Sequence, residues 1–186
     1  ENYRPLSLLS IPSKIMESII CNTLDNHLEK HNLINERQWG FRKNRSTQLA
    51  LLNMLETWRK NLDKNIFIAV FFLDFRKAFD SLNHNVINKK LIACGVTGDM
   101  HQWLMNYLAN RQQNTTEYVN VNTGAPQGSL LGPRLFSITA NDLPDQSNDH
   151  NEDLFADDTT GTCVDSSIGN LMVRAQTMVN DISNWS

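Results

Sequence analysis

Eight consecutive apolar residues, Ile66 to Leu73, are followed at once by an aspartate, Asp74. The run is rich in β-branched and aromatic side chains, and it is far shorter than the roughly 20 residues that a membrane-spanning helix needs. An apolar run of this length predicts a central strand of a sheet that is covered on both faces. The position of a carboxylate at the end of such a strand makes Asp74 the first candidate for chemistry.

The segments around this strand have a mixed pattern. Apolar residues at helical spacing predict helices within residues 12–30, 46–62, 84–95, 99–110, 133–143 and 168–185. In the first of them a stripe that includes Ile15, Ile19, Leu24 and Leu28 predicts a packed face. Residues 116–121 alternate weakly, as a strand would. Because strands and helices mix without a regular β-α-β rhythm, the pattern favours the α+β class.

A second pair of carboxylates lies far along the chain. Residues 153–164 form two short β-favouring runs around Asp157 and Asp158, which predicts a hairpin with both acids at its turn. If this hairpin lies beside the strand that ends at Asp74, two or three carboxylates converge at one edge of the sheet, and such a cluster normally holds a cation. Magnesium prefers such oxygen ligands. Acids that merely cap turns remain an alternative. Phosphoacceptor receiver domains also combine a strand-end aspartate with an acidic doublet, but in those domains the doublet comes first in the chain.

The charge of the chain is unevenly distributed. A net charge of -3 argues against a nucleic-acid partner, whose phosphates favour a basic surface. Residues 135–173, however, are acidic and contain no Lys or Arg, while residues 37–45 are basic. This separation suits a protein that binds both phosphate and metal, and two ordinary solvated faces explain it equally well.

The cysteines and the first residues of the sequence bear on the cellular compartment of the protein. Cys21, Cys94 and Cys163 are odd in number and widely spaced, which argues against a disulfide framework or a zinc site and favours a reducing environment. No basic and apolar leader opens the sequence. We therefore expect an intracellular protein, in the nucleus or the cytoplasm, without a membrane partner.

Five short motifs resemble those of one family. FLDFRKAFD, GAPQGSLLGPRLF and FADDT are similar to the palm motifs of reverse transcriptases from non-LTR (LINE-type) retrotransposons, and NYRPLSLLS and GFRKNRST are similar to the fingers motifs. The resemblance implies an α+β right-hand polymerase fold, with an antiparallel palm sheet flanked by helices and the thumb absent. It implies a fingers part at 1–65 and a palm part at 66–186, the latter with a fingers-like helical insertion around 95–122.

The resemblance also implies residue roles. Asp74, Asp157 and Asp158 would be catalytic and would hold two Mg²⁺ ions, with Mn²⁺ as a substitute. Phe79 would lie beneath the sugar of the incoming nucleotide and exclude a 2′-hydroxyl. The other implied contacts are Gln127 and Gly128 with the nucleotide, Arg42 and Lys43 with its triphosphate, and Arg4 and Arg45 with template or phosphate.

The function that the resemblance implies is RNA-directed DNA polymerisation in retrotransposition. The partners would be an RNA template, a DNA primer and deoxynucleoside triphosphates. A catalytically silent nucleic-acid-binding remnant and a group II intron or telomerase-like reverse transcriptase are the alternatives. Arg134 departs from the family pattern, because relatives usually carry an aliphatic residue there, and Gly161 is small where a bulkier residue is usual.

Overall fold

The computed structural model describes residues 8–75, 77–109, 111–114, 118–121, 123–145 and 150–185. Within them, no helix is long and apolar enough to cross a membrane. They include one short 3₁₀ helix at Ala140–Asp145. The elements in chain order are α1 (Ile11–Lys30), α2 (Thr47–Leu62), β1 (Phe67–Asp74), α3 (His84–Ala93), α4 (Gly98–Leu108), β2 (Arg111–Asn114), β3 (Tyr118–Val121), α5 (Leu131–Thr139), β4 (His150–Phe155), β5 (Asp158–Asp165) and α6 (Ile168–Trp185).

The chain divides into two compact units. The first contains the described residues of Glu1–Ile34 and Arg76–Thr139, and the second contains those of Asn35–Phe75 and Ala140–Ser186. Each unit therefore joins segments that are far apart in sequence. The division into residues 1–65 and 66–186, with an insertion around 95–122, stays a prediction.

The second unit is built on a three-stranded antiparallel sheet in the order β1-β5-β4. Helices α2 and α6 pack against this sheet. Met178 of α6 is fully buried, and a Cβ at Gly161 of β5 would lie only 2.6 Å from its sulfur. Gly161 is therefore small because Met178 occupies the space that a larger side chain would need.

The first predicted strand forms, but it is not central. In the described sheet β5 lies in the middle and β1 at one side. Its apolar side chains are only partly covered, and Phe72 is 78% exposed. The prediction of a central strand covered on both faces is therefore wrong. β5 pairs with both β1 and β4 and therefore lies between them. The apolar content of a strand does not determine its place in the sheet.

The first unit contains helices α1, α3, α4 and α5 and the β2–β3 hairpin. Leu24 and Leu28 of α1 are buried as the apolar stripe predicts, whereas Ile15 and Ile19 are exposed. The buried face of α1 instead continues through Cys21 to Glu17. A carboxylate in this position needs partners inside the protein.

Candidate active site

The antiparallel pairing of β1 and β5 brings the predicted carboxylates to one edge of the sheet. Asp74, the last residue of β1, lies directly opposite Asp158, the first residue of β5. Opposed residues in such a pair have Cα atoms about 4.5 to 5.5 Å apart. Phe155 pairs with Asp158, so Ala156 and Asp157 form the two-residue connection between β4 and β5. Asp157 is therefore at the tip of the hairpin, beside the Asp74–Asp158 pair.

The three carboxylates are accessible, and none has a cationic partner within the described part of the chain. Asp74 and Asp158 are exposed and Asp157 is half-buried. Among the residues that the structure describes, no Lys or Arg forms an ion pair with any of the three. Their negative charges repel one another, and a bound cation would relieve that repulsion.

The donor chemistry fits magnesium. Within the described ranges, no three His, Cys, Asp or Glu side chains already stand in an arrangement that could hold a metal ion. Mg²⁺ is usually held by one or two carboxylates together with waters and substrate phosphates, so a complete protein cage is not required. Solvent-accessible carboxylate oxygens are hard donors and suitable ligands for an ion that arrives with a substrate.

A glycine from a distant motif packs against the hairpin turn. Ala156 has a left-handed φ of +60°, which is uncommon for a residue with a side chain. A Cβ placed on Gly40 would lie 2.5 Å from the backbone nitrogen of Ala156. The glycine of the GFR motif is therefore required because two backbones meet there.

The segment before Gly40 extends along β4. The Trp39 amide donates to the Leu154 carbonyl at 2.7 Å, and the Leu154 amide donates to the Arg37 carbonyl at 2.9 Å. Asp153 is only 6% exposed. One of its oxygens accepts from Trp39 Nε1 at 3.0 Å, and the other lies 3.5 Å from Arg37 Nη1. Only its place as an acid within a strand marks Asp153 in the sequence, and no motif singles it out.

The basic residues follow directly after Gly40. Arg42 is half-buried, and its Nη1 donates to the Asn35 carbonyl at 2.8 Å. The Arg45 guanidinium lies 4.5 Å above the Trp39 ring, a cation–π contact, and Lys43 is exposed. Because Gly40 contacts Ala156, the basic segment begins beside the carboxylate turn. Arg4 lies outside the described residues.

In the first unit, the segments around Phe79 and Gly124 are interlocked. The Ala125 amide donates to the Phe79 carbonyl at 2.9 Å, and the Gly124 amide donates to the Leu82 carbonyl at 2.8 Å. A Cβ on Gly124 would lie 2.8 Å from the Asp80 carbonyl oxygen. The Phe79 ring is half-buried, 5.5 Å from the ring of Phe136. Phe79 is thus partly accessible on a fixed backbone.

A carboxylate orients the side chain of Gln127. Its Nε2 donates to both oxygens of Asp80, at 2.9 and 3.0 Å. Gly128 follows with a left-handed φ of +93°, a conformation that favours glycine. His84 Nε2 lies 2.9 Å from the Gly124 carbonyl oxygen and so holds the same segment. Asp80 and His84 thus hold this segment in place.

The predicted site residues thus form two groups, one in each unit. The second unit brings the three carboxylates together with the segment of Arg42, Lys43 and Arg45. The first unit brings together Phe79, Gln127 and Gly128.

Comparison with known proteins decides the family. Residues 1–186 match the family model described as "Reverse transcriptase (RNA-dependent DNA polymerase)". The chain belongs to the reverse transcriptase family.

Two relatives of this reverse transcriptase chain are named as polymerases of transposons. It is 32% identical over 149 residues to a probable RNA-directed DNA polymerase from transposon BS of Drosophila melanogaster. It is 33% identical over 150 residues to the corresponding protein of the X-element of the same species. Both alignments cover 77% of this chain and 16% of the relative, so the chain spans about one sixth of their length. The resemblance to reverse transcriptases of LINE-type elements is confirmed.

Two solved telomerase structures share the fold. Apo telomerase from Candida tropicalis superposes with a TM-score of 0.56 over 91% of this chain and 36% of its own. Telomerase from Candida albicans, in complex with a fragment of telomeric RNA, superposes with a TM-score of 0.58 over 91% and 31%. Both are 12% identical to this reverse transcriptase chain. The α+β polymerase fold predicted from the sequence is confirmed.

Proposed function

We propose that this chain is the fingers-and-palm core of an RNA-directed DNA polymerase that copies RNA in retrotransposition. It adds deoxynucleotides from their triphosphates to the 3′-hydroxyl of a DNA primer on an RNA template. The observation that carries the proposal is the pairing of Asp74 with Asp158, beside Asp157 at the hairpin tip. The similarity to transposon polymerases supports the substrate class. The expected intracellular site, in the nucleus or the cytoplasm, stays a prediction.

The three carboxylates would hold two Mg²⁺ ions, for which Mn²⁺ would substitute. When bound, the ions supply activation of the attacking hydroxyl and stabilisation of the leaving oxygen in phosphoryl transfer. The contribution of the protein is placement. Asp74 and Asp158 are fixed by backbone pairing, and the turn that carries Asp157 is packed against Gly40.

The basic segment binds phosphate. Arg42 and Lys43 contact the triphosphate of the nucleotide, and Arg45, with Arg4, contacts template or phosphate. The hydrogen bond from Arg42 to the Asn35 carbonyl holds one end of its guanidinium, which limits the positions that the remaining donors can take. Contact between Gly40 and Ala156 keeps this segment next to the carboxylates.

The first unit recognises the incoming nucleotide. Phe79 lies beneath the sugar and rejects a 2′-hydroxyl by bulk, because its ring is held against Phe136. Gln127, oriented by Asp80, contacts the nucleotide and the template, and Gly128 lets the substrate approach the backbone. Residues 1–65 would be the fingers part and residues 66–186 the palm part, with the insertion around 95–122.

Primer extension on an RNA template with Mg²⁺ tests the proposal. We expect Asp157→Asn to lower the rate by about 10²-fold or more, because an amide does not replace a carboxylate ligand. Asp63→Asn is the matched control, since Asp63 is an exposed acid that only forms a surface pair with Arg59. Equal rates for Asp157→Asn and the unchanged chain would reject the role. RNA binding that weakens with salt, without incorporation by the unchanged chain, would instead indicate a silent remnant.

A further inference from the structure

Glu17 of α1 is a charged residue in the interior of the first unit. Its side chain is 1% exposed. One carboxylate oxygen accepts from the Tyr107 hydroxyl at 2.8 Å, and the other accepts from the Leu130 backbone amide at 2.7 Å. Burial of a charge costs several kcal/mol unless such partners are present. Both short bonds are therefore part of what keeps this carboxylate inside.

The Leu130 amide belongs to the start of α5. The first amides of a helix have no partner within the helix. Here Ser129 Oγ accepts from the Gly132 amide at 2.9 Å, as an N-cap does, and Pro133 has no N–H. Glu17 satisfies the Leu130 amide and places a negative charge at the positive end of the helix.

The Leu130 carbonyl is held as well. Arg134 Nη1 donates to it at 2.9 Å, and Arg134 Nη2 pairs with Asp25 of α1 at 3.0 Å. Two acids of α1 thus fix the same residue, Glu17 directly and Asp25 through Arg134. This contact explains the charge at position 134, because Asp25 compensates it.

Leu130 follows a loop that the proposed function uses. Gln127 and Gly128 lie three and two residues before it, and the Ser129 amide closes the loop on the Pro126 carbonyl at 3.0 Å. A displacement of Leu130 would therefore displace both. We propose that Glu17 is a positioning residue that sets the placement of Gln127 and Gly128 against the incoming nucleotide. The nucleotide part of this inference rests on the proposed function.

The test separates positioning from simple support of the fold. Glu17→Ala removes both bonds, whereas Glu17→Gln keeps an oxygen for the Leu130 amide and an amide that can bond to the Tyr107 hydroxyl. Leu24→Ala is the control, because Leu24 is fully buried on the same helix and its truncation destabilises the protein while the Glu17 carboxylate, with its two bonds, is kept. The readouts are KM and kcat for a deoxynucleoside triphosphate, and hydrogen exchange of the amides of residues 127–130.

We expect Glu17→Ala to raise KM about tenfold, the loss that corresponds to one hydrogen bond to a charged group, and to accelerate exchange at Leu130. Glu17→Gln should stay within about threefold of the unchanged chain, and Leu24→Ala should lower the melting temperature while KM is preserved. Equal KM values, or equal exchange at residues 127–130, in Glu17→Ala and Leu24→Ala would overturn the proposal. If the unchanged chain incorporates no nucleotide, the proposed function fails, and the exchange comparison alone decides the role of Glu17.

Discussion

Gly40 shows how one residue in a fingers-type motif supports the carboxylate turn. Its backbone lies so close to Ala156 that a Cβ would be 2.5 Å from the Ala156 nitrogen. The neighbour is backbone in a left-handed conformation, so it cannot rotate away as a flexible side chain could. Any substitution must therefore move the turn that carries Asp157.

We expect Gly40→Ala to lower the free energy of unfolding by about 1 to 3 kcal/mol through overpacking. Gly169→Ala is the matched control. Gly169 lies in α6, and among the described residues a Cβ there would approach Ser167 Oγ, at an ordinary contact distance of 3.8 Å. Alanine is the better helix former, so this control should be neutral or stabilising by about 0.5 to 1 kcal/mol. Urea unfolding measures both changes in stability, provided that the slope of the unfolding free energy against urea concentration is the same in each variant. A Gly40→Ala midpoint as high as that of Gly169→Ala would contradict the steric argument.

The sequence indicated the residues of the carboxylate turn but not those that support them. Asp74 in FLDF ends an apolar run and Asp157 in FADD is at a predicted turn, so local patterns mark both positions. Asp153 and Glu17 carry no local pattern that marks them, and Asp80 is marked only by its place in the FLDFRKAFD motif. Each of these acids accepts hydrogen bonds from partners that are separated from it by 47 to 114 positions in the sequence. Local spacing along the chain does not reveal such contacts.

Helices and strands were predicted well where the signal is local. The helix predicted within residues 46–62 forms as α2, with the Ser46 hydroxyl as its N-cap accepting from the Leu49 amide at 3.2 Å, and the hairpin at Asp157 forms. Burial was predicted less well. Ile15 and Ile19 of the predicted packed face of α1 are exposed, as is Phe72 of β1. Periodicity identifies an apolar face, but the partner of that face depends on the tertiary fold.

The contact between α1 and α5 gives a prediction for one ion pair. Arg134 and Asp25 have side chains only 24% and 33% exposed, and three hydrogen bonds join them. We expect a coupling free energy of about 1 kcal/mol in a double-mutant cycle with Arg134→Leu and Asp25→Asn. The pair of Lys60 and Glu56 on α2 is fully solvated and should give a smaller coupling. A value for Arg134–Asp25 no larger than this control would show that the pair does not fasten α1 to α5.

The whole chain carries a buried thiol in each unit. Burial raises the pKa of Cys21 in the first unit, and that of Cys163 in the second, from 9.0 to about 11. The native state keeps these protons at pH values where the unfolded chain has lost them. The stability that the neutral thiols contribute is therefore complete below pH 9 and is lost as the pH rises toward about 11.

We expect the free energy of unfolding to fall between pH 9 and 11, and to fall less steeply in the variant that combines Cys21→Ala with Cys163→Ala. Other groups titrate in this range, so the difference between the two slopes is the quantity to compare. Chemical unfolding at a series of pH values gives it. Identical slopes would show that the two thiols ionise in the native state as they do in the unfolded chain.

The most direct test of the carboxylate turn is a crystal structure grown with Mn²⁺, primer, template and a deoxynucleoside triphosphate, with anomalous scattering to locate the metal. We predict manganese peaks at the edge of the sheet, roughly 2.1 Å from carboxylate oxygens of Asp74 and Asp157. Nucleotide bound with no peak at that edge, and Asp74 directed away from the hairpin, would contradict the claim that these acids hold the ions of a polymerase.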